Sequence, residues 1–237
     1  MIDWKPPQRA LAKAGLYTGA IDGDGGPGTW GALLCYVAGR PAGTATCVLR
    51  GRALARQPEW TTPERVSHYV GETSHESSNF TRLRENLVFT HAEVIQQTWP
   101  TRFHTVAEAA PFVRQPVLLA NRVYARPEEG NVRPGDGWLY RGGGDIQWTF
   151  ANGYRRLAAA LGTDVLGNPD LISDPATAAL SGLVFYRLSN LFRLIDLGQF
   201  QQARSLSNTG KTTTPRARIL GVDDVDARRG RTLALWH

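Results

Sequence analysis

Helix punctuation constrains this chain more than any other feature. The pattern Thr-x-x-Glu occurs at Thr61/Glu64, Thr90/Glu93 and Thr105/Glu108. Each pair can satisfy free backbone N–H groups reciprocally at a helix start. After the first, Val66, Tyr69, Val70 and Thr73 fall at i, i+3, i+4 and i+7, one face of a helix. Pro63 suits the first turn of that helix. Trp99-Pro100 closes the second predicted helix. Asp174-Pro175 opens another, with Leu180, Leu183, Val184, Leu188 and Leu191 as its expected buried stripe. A last helix is predicted from about Asp223 to Leu235. From about residue 45 onward the chain is therefore predicted to be mainly α.

One segment breaks the helical rule. In DIQWTF, Ile146, Trp148 and Phe150 alternate with Asp145, Gln147 and Thr149. Strict alternation predicts a short half-buried strand, a small β element whose polar side faces water or lines a cleft.

Residues 1–42 differ again. Two short helical patterns, residues 8–14 and 29–38, flank the glycine-dense turn GAIDGDGGPGTWG, and GRPAGTAT then reads as a linker. The chain is expected to divide into a small N-terminal helical module, 1–42, and a larger domain, 43–237. The Asp22-x-Asp24-x-Gly26 spacing suggests a calcium loop, but Leu33 stands where an EF-hand needs a bidentate glutamate, so this reading fails.

The bulk numbers exclude several classes. At 237 residues with 42% hydrophobic and 20% charged content, the chain can build a real core without staples. The formal net charge of +6 favours polyanionic surroundings such as an anionic cell wall. Its basic residues are mostly arginine and scattered, so nucleic acid ranks low among partners. No stretch reaches the roughly 18 apolar residues of a membrane span, and MIDWKPPQRA lacks the apolar core of a secretory signal. Synthesis in the cytoplasm is expected. Cys35 and Cys47 form no CxxC and read as two buried free thiols, although a disulfide between them remains open.

The candidate chemistry sits in HESSNFTRLREN, residues 75–86. A zinc protease would need histidines at i and i+4, but the fifth position is Asn79. His75 is instead expected to be structural, and no metal or other cofactor is expected. Two carboxylates remain, Glu76 and Glu85. On one continuous helix their nine-residue separation spans about 2.5 turns, roughly 13–14 Å, with side chains on opposite faces. Ser77-Ser78-Asn79 favours a helix end directly after Glu76, which would let the chain fold back. Inverting glycosidases need carboxyl groups about 6.5–9.5 Å apart, so that a water fits beneath the sugar. The bland alternative is a pair of surface glutamates balanced by Arg82 or Arg84.

The stretch HES..F..L.EN, then LANRVYA (119–125), GDGWLYRGGG (135–144), IQWT (146–149) and NPDLISDP (168–175), in that order, resembles glycoside hydrolase family 19 over about residues 46–235. It is most similar to the phage endolysin and bacterial members. The resemblance implies an α-rich, lysozyme-like hydrolase domain and inverting hydrolysis of a β-1,4 bond next to an N-acetylated sugar. It makes Glu76 the general acid, Glu85 the general base, Thr149 a hydroxyl that holds the attacking water and Gln147 a substrate-binding amide. Tyr124, Trp138 and Tyr140 are candidates to stack on sugar rings, Asn152 and Asn208 to line the cleft, and Asn121 to brace it. Three positions depart from the family pattern: Gly143 replaces the arginine of GRG, Asp145 replaces an apolar residue, and Gly153 stands where an asparagine is expected, with Asn152 one place earlier.

QRALAKAGLYTGAIDGDGGPGTWGALLCYV resembles a peptidoglycan-binding module, with Tyr17, Asp22 and Thr29 as candidate wall-binding residues. Together the two resemblances imply a monomeric, phage-type endolysin that cuts peptidoglycan glycan strands after release through a membrane lesion. It would bind no nucleic acid and not insert stably in a membrane. A chitinase with the same site, an inactive wall-binding protein and a toxin delivered to competitor cells are the alternatives.

Overall fold

A computed structural model describes residues 2–237. Its helices in chain order are α1 (Lys5–Lys13), α2 (Pro27–Ala38), α3 (Ala45–Leu54), α4 (Pro63–Glu76), α5 (Ala92–Thr98), α6 (Val106–Ala109) and α7 (Pro116–Val123). They continue as α8 (Asp136–Leu139), α9 (Phe150–Leu161), α10 (Pro175–Leu188), α11 (Leu191–Asp196), α12 (Phe200–Thr209) and α13 (Val222–Leu233). The chain divides into two compact units, Met1–Arg82 with Asp174–His237, and Leu83–Ser173.

Local chemistry explains most helix starts. Asp174 caps α10, its Oδ1 accepting from the backbone N–H groups of Ala176 and Thr177 at 3.0 Å each. Thr105 caps α6 by accepting from Glu108 N at 3.2 Å, and the Glu108 carboxylate accepts from His104 N at 2.9 Å. The other two expected boxes differ. The α4 cap is Thr62, one residue later than expected, accepting from Arg65 N at 3.3 Å. Before α5 the cap position is His91, with no side-chain bond to the helix. Thr90 turns its hydroxyl to the His91 ring instead, 2.8 Å away.

In the first unit α2 packs on α3, α4 on α13, and α10 on α3. Residues on both sides of position 42 fall in this one compact unit. Trp4 and Trp30 lie 5.6 Å apart, Trp30 and Trp60 4.8 Å, Trp60 and Tyr69 5.0 Å, and Tyr69 and Tyr186 5.3 Å, between ring centroids. One aromatic chain thus runs from the N-terminal segment into α4 and α10, inside one hydrophobic core. The helices α2 and α3 also meet backbone to backbone. A Cβ on Gly51 would stand 2.6 Å from Gly31 N and 2.9 Å from Pro27 O. At the far end of this core Trp4 meets Trp236 at 5.1 Å, and the Trp236 indole donates to Asp3 O at 2.9 Å.

Along α10 the expected stripe holds at Leu183 and Val184 and resumes at Leu191, but Leu188 is exposed. Leu188 is the last residue of α10. Asn190, at φ +54°, then turns the chain before α11 begins. The second unit has its own core, built around Leu87, Ile95, Phe103, Leu119 and Val123.

The predicted strand at DIQWTF does not form. Residues 144–147 make a turn, with Gly144 at φ +73° and Gln147 at φ +55°. Among the described residues the β element reduces to two isolated antiparallel bridges, Arg84 to Gly143 and Gly143 to Trp148. Asp145, expected on the solvent or cleft side, is buried. Period-2 alternation over six residues is also compatible with a tight reversal, and the three glycines before it allow one.

Candidate active site

Glu76 is the last residue of α4. Ser77 caps the end, and Ser78, Asn79 and Phe80 follow with φ of +51°, +58° and +63°. Left-handed backbone is costly for residues with a Cβ, so local bonds must hold it. Asn79 N donates to Ser74 O at 2.7 Å, Phe80 N to Ser77 Oγ at 3.0 Å, and Phe80 itself is buried. The Asn79 side chain is held by Arg228 of α13. His75 is structural, as expected: its Nδ1 lies 2.7 Å from Asp224.

The Glu76 carboxylate, about a quarter exposed, accepts from Arg204 Nη1 at 2.6 Å. The same nitrogen donates to Glu72, one turn back on α4, at 2.5 Å. Glu72 and Arg204 are almost wholly buried.

Glu85 lies in the second unit. Both of its carboxylate oxygens are 2.8 Å from the Tyr124 hydroxyl, and Oε2 also accepts from Gly142 N at 3.3 Å. Its backbone is pinned by Glu85 N donating to Gly142 O at 2.9 Å and Arg141 Nε donating to Glu85 O at 3.2 Å. Burial, reinforced by the Glu85 charge beside it, pushes the Tyr124 phenol far above its ordinary value, so it stays a donor. Tyr124, expected to stack on a sugar, is therefore occupied in holding Glu85.

Thr149 and Gln147 are near neighbours through the turn rather than through a strand. The Thr149 hydroxyl donates to Gln147 O at 2.9 Å, which leaves its lone pairs to accept from a water. The Gln147 side chain donates to Gly144 O at 3.0 Å, and a Cβ on Gly142 would stand 2.8 Å from Gln147 Oε1.

The remaining candidates are mostly braces. Trp138 lies under the Arg141 guanidinium at 3.6 Å, and Tyr140 donates to Leu166 O at 3.2 Å. Asn121 accepts from Trp138 N at 2.8 Å, the bracing role expected for it. Asn152 donates to Glu128 O at 3.3 Å and accepts from Arg155 at 2.5 Å, while Asn208 accepts from Leu220 N at 3.1 Å. In the N-terminal segment Gln8 is a hub. It donates to Asp22 at 2.7 Å and to Thr29 at 3.1 Å, and accepts from Gly23 N at 2.9 Å. Asp22 and Thr29 thus shape the glycine turn from within. Tyr17, whose hydroxyl accepts from Gln8 at 3.4 Å, also lines an open cavity of about 430 Å³ with Leu16, Gly28, Val48 and Arg52.

No protein-family model matches the chain. Over 109 residues it is 38% identical to a glycosyl hydrolase family 19 domain-containing protein of Haemophilus influenzae. That match takes in 44% of this chain and 54% of the relative, so the chain spans about half the length of that relative. Chitinase C from Streptomyces griseus superposes with a TM-score of 0.60 at 17% identity, covering 86% of this chain and 90% of that one. A mutant of chitinase C gives 0.59 at 16% identity, covering 92% and 95%. The fold is that of chitinase C. It is α-rich and lysozyme-like, as expected, and over the 109 matched residues the chain is similar to a glycoside hydrolase family 19 domain.

Glycine at position 143, where the resembled pattern has arginine, has a local explanation. A Cβ on Gly143 would stand 2.5 Å from the Tyr154 hydroxyl, 2.7 Å from Ile172 and 3.2 Å from Arg84 Nη1. Arg84 occupies this side. It donates to the Tyr154 hydroxyl at 2.5 Å and to Leu139 O at 3.0 Å, and pairs with Asp170 at 3.4 Å. Sequence reasoning missed Glu72 and Arg204. Glu72 leaves a faint signal, an acid at i−4 from Glu76 on the same helix. Arg204 leaves none.

Proposed function

We propose that this chain is a family 19 glycoside hydrolase that cuts β-1,4 bonds in the glycan strands of bacterial peptidoglycan, with Glu76 as general acid and Glu85 as general base. Glu76 gives its proton to the bridging oxygen as the bond to the anomeric carbon breaks. Glu85 takes a proton from a water as that water's oxygen bonds the opposite face of the same carbon, so the configuration inverts. Thr149 helps hold the water and Gln147 binds substrate. Two carboxylates and a water balance the reaction.

The observation that carries this reading is how the two glutamates are held. Arg84 is committed to Tyr154 and Asp170 rather than to either glutamate. Glu76 is anchored by Arg204, whereas Glu85 accepts from a phenol and a backbone N–H. One carboxyl shares a cation with a second acid, and the other accepts from a phenol and a backbone N–H, a division that suits two different proton tasks.

Wall binding through the Tyr17 cavity and release as a phage-type endolysin complete the proposal. The positive net charge favours an anionic wall. A chitinase is the second reading, favoured by the likeness to chitinase C. Incubation with peptidoglycan and with chitin oligosaccharides, followed by fragment masses, separates them. New reducing ends from peptidoglycan, lost in Glu76→Gln and Glu85→Gln, are the expected result. Anhydro ends would remove the water-activating role of Glu85, and cleavage of chitin alone would make the protein a chitinase.

A further inference from the structure

Arg204 does more than neutralise Glu76. Its Nη1 is divided between Glu72 at 2.5 Å and Glu76 at 2.6 Å, and its Nη2 is fixed on Leu220 O. Glu72 is fully buried, and its Oε1 also accepts from the Ser207 hydroxyl at 2.7 Å. Its other oxygen, Oε2, is buried without a hydrogen-bond partner among the described residues. Two carboxylates around one guanidinium carry a net negative charge, which one added proton cancels. Such a pair titrates as a unit.

We propose that Glu72 is a positioning residue for Glu76: it pins Arg204 from the buried side, so that one cation is shared by two carboxylates that hold a proton in common. This rests on the reading of Glu76 as proton donor. Burial pushes the Glu72 carboxyl above its ordinary range, against the pull of Arg204 and Ser207, which makes it a real competitor for that proton.

The surroundings leave this trio to itself. From α10, Tyr186 faces Glu72, and burial pushes its phenol well above its ordinary value, so it is uncharged. On α4, burial pushes His68 down to about 3, so it too is neutral. On α13, Asp224 is engaged by His75 and Arg228, and Arg229 lies over the Phe200 ring. On α11, Asp196 pairs with Arg65, and Arg193 is exposed; α2 brings only the Cys35 thiol and the Tyr36 phenol.

The test is Glu72→Gln, read in two ways. With one carboxylate gone, Glu76 faces Arg204 alone and releases its proton more readily. The alkaline limb of the kcat profile should move to lower pH by about one unit, roughly a tenfold loss of rate above the limb, with KM little changed. The Glu76 carboxyl, followed by NMR with labelled glutamate, should shift its midpoint the same way, a readout that needs no turnover. Should Glu72→Gln fail to fold, Glu72→Gln with Arg204→Gln is compared with Arg204→Gln alone, and the Glu76 midpoint should lie lower in the double variant, which lacks the second carboxylate. An unmoved Glu76 midpoint in the folded variant overturns the proposal. A moved midpoint in a protein that cleaves no glycan upholds the coupling and overturns the enzymatic reading instead.

Discussion

The hydroxyl of Tyr124 stands 2.8 Å from both oxygens of Glu85, so a single phenol faces the whole carboxylate. Tyr124→Phe removes that donor and leaves only Gly142 N at 3.3 Å. Hydrogen bonds to charged groups contribute about 1.5–3 kcal/mol. If that energy orients the base in the transition state, kcat should fall about 10- to 100-fold. Initial rates of glycan release, with a melting curve as control, check this. A rate equal to wild type in a folded variant would remove Tyr124 from the reaction.

Acid should destabilise the first unit through His68. The ring is fully buried, 2.9 Å from the Tyr186 hydroxyl, and burial pushes it down to about 3. Unfolded, it titrates near 6.5. The unfolded chain therefore binds the extra proton first. Stability is complete above about pH 6.5 and falls as pH drops toward 3, by at most about 1.4 kcal/mol per unit from this group. Urea melts between pH 7 and pH 4 should show a slope that His68→Gln reduces. The same slope in both proteins would place the acid lability elsewhere.

Residues 43–237 alone should not fold. Removal of the first 42 residues strips Trp4, Leu11, Trp30, Leu33 and Leu34 from the core. At about 1.5–3 kcal/mol for each large apolar side chain, the loss matches or exceeds the 5–15 kcal/mol by which a typical domain is stable. The shortened chain is expected to be insoluble or to melt without cooperativity. A cooperative melt would restore the domain boundary that the sequence suggested.

Placing at position 143 the arginine of the family pattern it resembles should harm this protein. Gly143→Arg drives a side chain against Tyr154, Ile172 and Arg84. Overpacking of this kind costs about 1–3 kcal/mol, and the loss should appear as a lower urea midpoint. A midpoint at or above wild type would mean that the Arg84 side chain yields easily.

What could be read in advance follows the range of the interactions. Helices were legible because their signals are local. Asp174-Pro175 and Thr105/Glu108 each lie within one turn of the group they satisfy. The end of α4 after Glu76 was legible for the same reason. Thr90 failed because a neighbouring ring competed for its hydroxyl, and DIQWTF failed because alternation over six residues does not separate a strand from a reversal. The boundary at residue 42 was drawn from composition, which carries no record of Trp30 reaching Trp60. In the candidate site, the two glutamates stand out by the motif around them, but Arg204 lies 128 residues from Glu76 and no local pattern joins them.

The meeting of Trp4 and Trp236 has a consequence for how the protein is made. A core that joins residue 4 to residue 236 cannot close until residue 236 has left the ribosome. The N-terminal helices leave the ribosome long before α10 to α13 exist, and until then they display Trp4, Trp30 and Trp60 as unsatisfied apolar surface. Closure of the first unit therefore waits on contacts of high sequence separation, which lengthens the time this apolar surface is open to other chains.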